Sequence, residues 1–245
     1  MGLADLHIHS IYSDGTATVE AILLHASAKT DLDVIAITDH DTLDGALKAR
    51  ELAVHFRVEV VPGVEISTAQ GHLLALFLEK PVEAGLSFIE TAQKVRRYGG
   101  LPFAPHPASL LAPSIGGRAL RAVAKEHPHL LAGIEVENGS LLYRRENAAA
   151  HRLRWELGLT GVGGSDAHVL AEIGSAATAF AGCTAQDLRC ALERGEVTPL
   201  PTKRQARYLR RQIKHFALRY GLRVIQAAEG LLEEEPRVHW RRMDK

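Results

Sequence analysis

Residues 3–15 read LADLHIHSIYSDG. The stretch has the make-up of a β-strand, yet Asp5, His7 and His9 interrupt it at alternate positions. Side chains on a strand alternate between its two faces, so a spacing of two puts both imidazoles on one face. Ser13-Asp14-Gly15 then reads as a turn. Such a strand presents ligand-type side chains at its carboxy-terminal end.

The same arrangement recurs along the chain. Strand-like runs follow at 33–38 (DVIAIT), 58–66 (VEVVPGVEI), 72–78 (HLLALFL), 101–105 (LPFAP), 133–137 (GIEVE), 160–164 (TGVGG) and 175–180 (SAATAF). Helix-like runs lie between many of them: 19–29 after a Thr18 cap, 43–55, 86–98 stopped by Gly99-Gly100, 118–125, 142–157 closed by Gly158 and 185–193 closed by Gly195. Strands alternating with helices predict βαβ units and a mostly parallel sheet. Seven or eight strands in roughly 200 residues suit a closed (β/α) barrel better than an open doubly wound sheet, which is the alternative.

Barrel enzymes carry their chemistry at the carboxy-terminal strand ends. Here those ends read Thr38-Asp39-His40-Asp41, Gly63-Val64-Glu65-Ile66-Ser67, Pro105-His106-Pro107 and Gly164-Ser165-Asp166-Ala167-His168, and His72 opens a strand of its own. Any one of these could be a solvated surface residue. Six strand ends or turns that each supply His, Asp or Glu point instead to a multinuclear metal site. The nine candidates are His7, His9, Asp14, His40, Glu65, His72, His106, Asp166 and His168. Imidazole and carboxylate without cysteine suit Mn, Zn or Fe and admit Mg. Nine ligands imply two or three divalent ions, with a carboxylate such as Glu65 bridging. Clustered divalent ions favour phosphoester hydrolysis, because they activate water and neutralise charge on phosphoryl oxygens.

Composition is compatible with one large domain or a domain with an appendage. The chain has 245 residues, is 46% hydrophobic and carries no formal net charge, which excludes a generic nucleic-acid binder. Polar residues from Asp5 onward speak against a signal peptide. No apolar run approaches the ~18 residues needed to span a bilayer. Cys183 and Cys190, seven residues apart in one helix-like run, build no disulfide framework and predict a cytoplasmic protein.

The motifs DLHIHSIYSDG, AITDHD, GVEIS, HLLALF, PHP and GSDAH, in this order, resemble the PHP (polymerase and histidinol phosphatase) family across roughly residues 3 to 180. The resemblance implies a distorted seven-stranded (β/α) barrel, TIM-barrel-like, with a trinuclear metal site and a hydroxide bridging two ions as nucleophile. It implies that His7, His9, Glu65 and Asp166 hold one ion. Glu65 with His72 and His106 would hold a second, and Asp14, His40 and His168 a third. Asp5 would then support an imidazole from behind, and Asp39 and Asp41 could do the same, with a capping or loop role as the alternative for Asp41. Departures are few. Only one helix-like run separates His72 from His106, so the helical cap of relatives acting on nucleotides or RNA ends is absent or minimal. Ala75 stands where Gly is usual. Ala-Ser-Leu follows the HP motif where Arg-Tyr is frequent, which makes Arg118 a candidate phosphate-binding replacement. Asn138, in EVENG, is a candidate pocket residue.

The end of the chain differs. Residues 203–223 hold eight Lys/Arg and no Asp or Glu, with Leu209, Ile213, Phe216 and Ala217 at helical spacing. Pro199 and Pro201 set them apart, so the expected division is a barrel at 1–198 and a basic amphipathic helical extension at 199–245. That extension could pack on the barrel, guide a polyanion or contact a partner or an anionic surface. The expected function is a metal-dependent phosphoesterase acting on a nucleotide or oligonucleotide end. A small metabolite monoester such as histidinol phosphate is the alternative substrate. A non-catalytic metal-stabilised binding module is the alternative class. The sequence leaves the oligomeric state open.

Overall fold

The computed structural model describes residues 1–140 and 144–200. The basic segment 203–223 lies outside them. The chain divides into two units, of which the first spans residues 1–204. The first unit is a sheet of nine strands flanked by helices.

Its strands are β1 (Gly2–Ile8), β2 (Val34–Ile37), β3 (Glu59–Thr68), β4 (Gly71–Leu76), β5 (Leu101–Ala104), β6 (Gly133–Asn138), β7 (Gly161–Gly164), β8 (Ala177–Phe180) and β9 (Val197–Leu200). Its helices are α1 (Val19–Lys29), α2 (Asp44–Leu52), α3 (Phe88–Arg97), α4 (Gly116–Glu126), α5 (Arg144–Leu157) and α6 (Ala185–Arg194). The strand order is β7-β6-β5-β4-β3-β2-β1-β8-β9. The curved sheet nearly closes, because the chain after β7 returns to β1. Ile8 and Ala167 bridge in parallel, and His9 N donates to Ala167 O at 2.9 Å. Thr178 Oγ1 on β8 accepts from Gly163 N (2.8 Å) and donates to Gly163 O (2.9 Å), tying β8 to β7.

Two features differ from the expected barrel. The sheet is mixed: β1–β2–β3 and β5–β6–β7 run parallel, but β4 is antiparallel to both its neighbours, as is β8 to β1 and to β9. The link from β3 to β4 is only residues 69–70, too short for a parallel crossover. A ninth strand forms where Pro199 read as a spacer. β9 is an edge strand, and there a proline's missing N–H leaves no ladder bond unmade.

Helix ends follow local chemistry. Thr18 Oγ1 caps α1 through Ala21 N, and Ser87 with Glu90 and Thr184 with Asp187 form reciprocal capping boxes on α3 and α6. Gly195 ends α6 in the left-handed region at φ 72°, which glycine adopts without a Cβ clash. The predicted helix 43–55 is split into α2 and a 3-10 turn at 53–55.

The core has three apolar groups. One packs α1 and α2 on β2 and β3, and another packs α3, α4 and α5 on β3 to β6. The third gathers Ala4, Leu6, Val34, Val61, Phe103 and Val162 with α6. On each of these parallel strands the apolar residue precedes the ligand-type residue. One end of the sheet is therefore dry packing and the other is polar.

Candidate metal centre

β3 carries Glu65 into the middle of the polar end, and that carboxylate is buried. Its Oε2 lies 3.3 Å from His7 Nε2, 3.3 Å from His9 Nε2 and 3.3 Å from His40 Nδ1. Its Oε1 lies 2.8 Å from His72 Nδ1 and 3.0 Å from His106 Nε2. Asp166 Oδ1 faces His7 Nε2 at 3.5 Å and His9 Nε2 at 3.3 Å. On the outer side, Asp14 Oδ1 is 3.3 Å from His168 Nε2 and 3.5 Å from His9 Nδ1, and its Oδ2 is 3.8 Å from His40 Nε2. All nine sequence candidates thus meet in one cluster. It is deepest at His7 and most open at Asp14, whose side chain keeps 30% of its exposure.

Three sets have ligand atoms within 4.8 Å of one another: His7-His9-Asp166, His40-Glu65-His72 and His9-Asp14-His40-His168. His9 and His40 each belong to two of these sets, and His106 to none of them. His72 opens its strand while most of the other ligands follow theirs, because β4 runs antiparallel and its start lies at the same end of the sheet.

The electrostatics suit cations. Burial opposes charge on His9, but Asp166 and Glu65 outweigh it and hold its pKa up to about 9. His7 and His106 are likewise raised against burial, by Asp166 and Glu65 at His7 and chiefly by Glu65 at His106. Burial would raise Glu65 and Asp166, yet the imidazoles hold both well below the carboxylate range, and Asp14 is lowered chiefly by His168. Burial takes His40 down to about 4, which leaves it neutral and ready to coordinate. His7 Nε2 and both ring nitrogens of His9 are buried and make no hydrogen bond among the described residues. Once these rings lose their protons, their buried lone pairs have no donor, which costs free energy, and divalent cations accepting them would offset it. The donor set therefore fits the ions it implies.

A second layer holds the first. His168 Nδ1–H donates to Asp166 O at 2.9 Å, turning Nε2 toward Asp14. Asp39 accepts from Ser10 N, Ser10 Oγ and Ser13 Oγ, each at 2.7 Å, and so fixes the loop that presents Asp14. Asp41 accepts from Ser67 N at 2.6 Å, the loop role. Asp5 does not support an imidazole as expected. It accepts from the backbone N–H groups of Ser165 (2.8 Å), Gly174 (2.8 Å) and His7 (3.3 Å), and burial pushes its carboxyl up to about 6. His106 and Asp166 adopt left-handed backbones at φ 29° and 52°, and strain of that kind gathers at functional sites.

The two substrate-binding candidates fall differently. Arg118 is exposed in the first turn of α4, with no hydrogen bond or ion pair among the described residues. Asn138 is buried, and its amide donates to Glu135 Oε2 (3.0 Å) and Asp166 Oδ2 (3.2 Å), so it braces carboxylates of the cluster. Glu135 escaped the sequence reading. Its signal was a glutamate between Ile134 and Val136 on a buried strand, with Glu137 two residues further on.

A family model described as PHP domain matches residues 5–142, and one described as PHP-associated matches residues 144–197. An uncharacterized protein of Methanocaldococcus jannaschii is 38% identical over 125 residues, 47% of this chain and 73% of that one. Phosphoribosyl 1,2-cyclic phosphate 1,2-diphosphodiesterase of Eggerthella lenta is 39% identical over 88 residues, 34% of this chain and 33% of its own. The crystal structure of a two-domain protein from Bacteroides vulgatus, containing a predicted PHP-like metal-dependent phosphoesterase, superposes with a TM-score of 0.68 at 22% identity. The match covers 82% of this chain and 64% of that one. Among the described residues no helix is long and apolar enough to cross a membrane.

Proposed function

This chain belongs to the PHP domain family, and from that premise we propose that its nine clustered side chains form the metal centre of a phosphoesterase acting on nucleotide-type substrates. The observation that carries this reading is Glu65, one buried carboxylate with five imidazoles within 3.3 Å. His7, His9, Glu65 and Asp166 would hold one ion, Glu65, His72 and His106 a second, and Asp14, His40 and His168 a third. Such ions supply Lewis acidity toward phosphoryl oxygens and lower the pKa of water. The chain's part is to fix the ligands and shield them from bulk water, which strengthens every charge interaction there. Arg118, exposed near the start of α4, is the proposed phosphate contact. The segment 203–223 is the proposed guide for polyanions.

A nucleotide or oligonucleotide end is supported by a relative named as a 5'-3' exoribonuclease, from Escherichia coli, which is 44% identical over 66 residues, 26% of this chain and 22% of its own. A second reading, a small metabolite monoester such as histidinol phosphate, is favoured by one observation. α3 is the single helix between β4 and β5, which leaves no cap domain to grip an oligonucleotide.

The test is elemental analysis of the full chain, followed by turnover of p-nitrophenyl phosphate and its bis-ester with added Mn, then a panel of nucleotides, oligonucleotides and metabolite phosphates. Two or more transition ions per chain with aryl phosphate turnover are expected. Fewer ions and no turnover would overturn the enzyme reading, and the panel separates the two substrate classes.

A further inference from the structure

We propose that Glu135 is the positioning residue of this centre, one carboxylate that fixes three of the candidate ligands at once. The inference rests on the metal-centre reading and adds a residue outside the nine. Ile134 and Val136 of β6 pack in the apolar group under α3, α4 and α5. Strand alternation therefore turns Glu135 the other way, toward the cluster, where it is 1% exposed. Its Oε1 lies 3.1 Å from His7 Nδ1. Its Oε2 accepts from His106 N at 2.9 Å and from Asn138 Nδ2 at 3.0 Å. The same Asn138 amide reaches Asp166 Oδ2 at 3.2 Å.

Each contact has a definite effect. A bond from His7 Nδ1–H to Glu135 leaves Nε2, on the side of Glu65 and Asp166, as the nitrogen that would coordinate an ion. The bond to His106 N holds a residue whose φ of 29° is unfavourable for a side chain. Through Asn138 the carboxylate also sets Asp166. Room for the Glu135–His7 pair depends on Gly164, where a Cβ would meet His7 Cβ at 2.7 Å and Glu135 Oε1 at 3.0 Å. Glu135 touches His7 and His106 but belongs to none of the three ligand sets, so its part is to orient ligands.

The experiment compares the full-length wild type with Glu135→Gln and Glu135→Asp. Glutamine keeps the volume but turns an NH2 toward groups that already donate. Aspartate keeps the charge and withdraws it by one methylene. Mn(II) affinity is measured by chelator competition on metal-free protein, and kcat and KM with p-nitrophenyl phosphate at saturating Mn. Each variant should bind Mn about 10- to 100-fold more weakly, and kcat should fall while KM holds. Metal-free melting curves show whether each variant folds, and Glu135→Asp decides the question if Glu135→Gln does not. Variants that melt lower but bind Mn and turn over like wild type would reduce Glu135 to a structural residue and overturn the proposal. A wild type that binds no Mn would instead overturn the metal-centre reading beneath it.

Discussion

At Gly15 the chain doubles back against the strand it has just left. A Cβ there would meet His9 O at 2.3 Å, His9 C at 2.5 Å and Ser10 N at 2.8 Å, all backbone atoms that cannot swing aside. Gly15→Ala must therefore displace the loop that carries Asp14. We expect it to weaken the outermost ion and lower kcat by on the order of 10²-fold, while the inner ions stay bound in a metal titration. A titration identical to wild type would show that Asp14 has no part in holding metal. His9→Ala removes the ring shared by two ligand groups. It should abolish phosphatase activity and lower metal content, with the far-UV circular dichroism unchanged. Retained turnover would refute the assignment. The ligand-type residues at strand ends and turns were legible because polar side chains there stand out against apolar runs. Glu135 and the carboxylate-bracing role of Asn138 were not. A polar residue inside a strand resembles a solvent-facing one until the strand's two faces are assigned.

The elements themselves were legible to within a few residues, because caps and glycines mark their ends. Strand direction was not. The two-residue link between β3 and β4 forces a hairpin, and that reversal lets His72, near the start of its strand, reach the same centre that His9 and Asp166 reach by following theirs. β9 was hidden by its proline. α3 offers a control for the site arguments. Ser87 Oγ accepts from Glu90 N while Glu90 Oε2 accepts from Ser87 N. Ser87→Ala should cost about 1 kcal/mol and lower Tm by roughly 2–4 °C, leaving Mn affinity and kcat untouched. A change in metal affinity would mean that α3 communicates with the centre.

For the molecule as a whole, the cluster couples metal, protons and stability. Without ions, the imidazoles of His7, His9 and His106 have raised pKa values, with His9 at about 9. Their pairing stabilises the fold fully below the unfolded value of 6.5 and is lost as pH rises through the folded values. Glu65, Asp166 and Asp14 are lowered, so their share is present above the ordinary carboxylate values of 4.5 and 3.8 and is lost in acid. The metal-free form should therefore melt highest between those windows, in mildly acidic buffer. Bound cations replace the protons. Zinc uptake at pH 7 should release protons, so its calorimetric enthalpy should vary with the ionisation enthalpy of the buffer. An enthalpy indifferent to buffer would contradict the raised imidazoles. The seam between β1 and the segment after β7 sets the order of these events. Ser165 N bonds to Asp5 across 160 positions of sequence, and His9 N to Ala167 O nearby. A chain pays most of its loop-closure entropy before such contacts form. An ion gripped by both His9 and Asp166 can bind only after that closure. It then acts on the native side of the folding barrier, as a latch that slows opening and leaves the speed of folding unchanged.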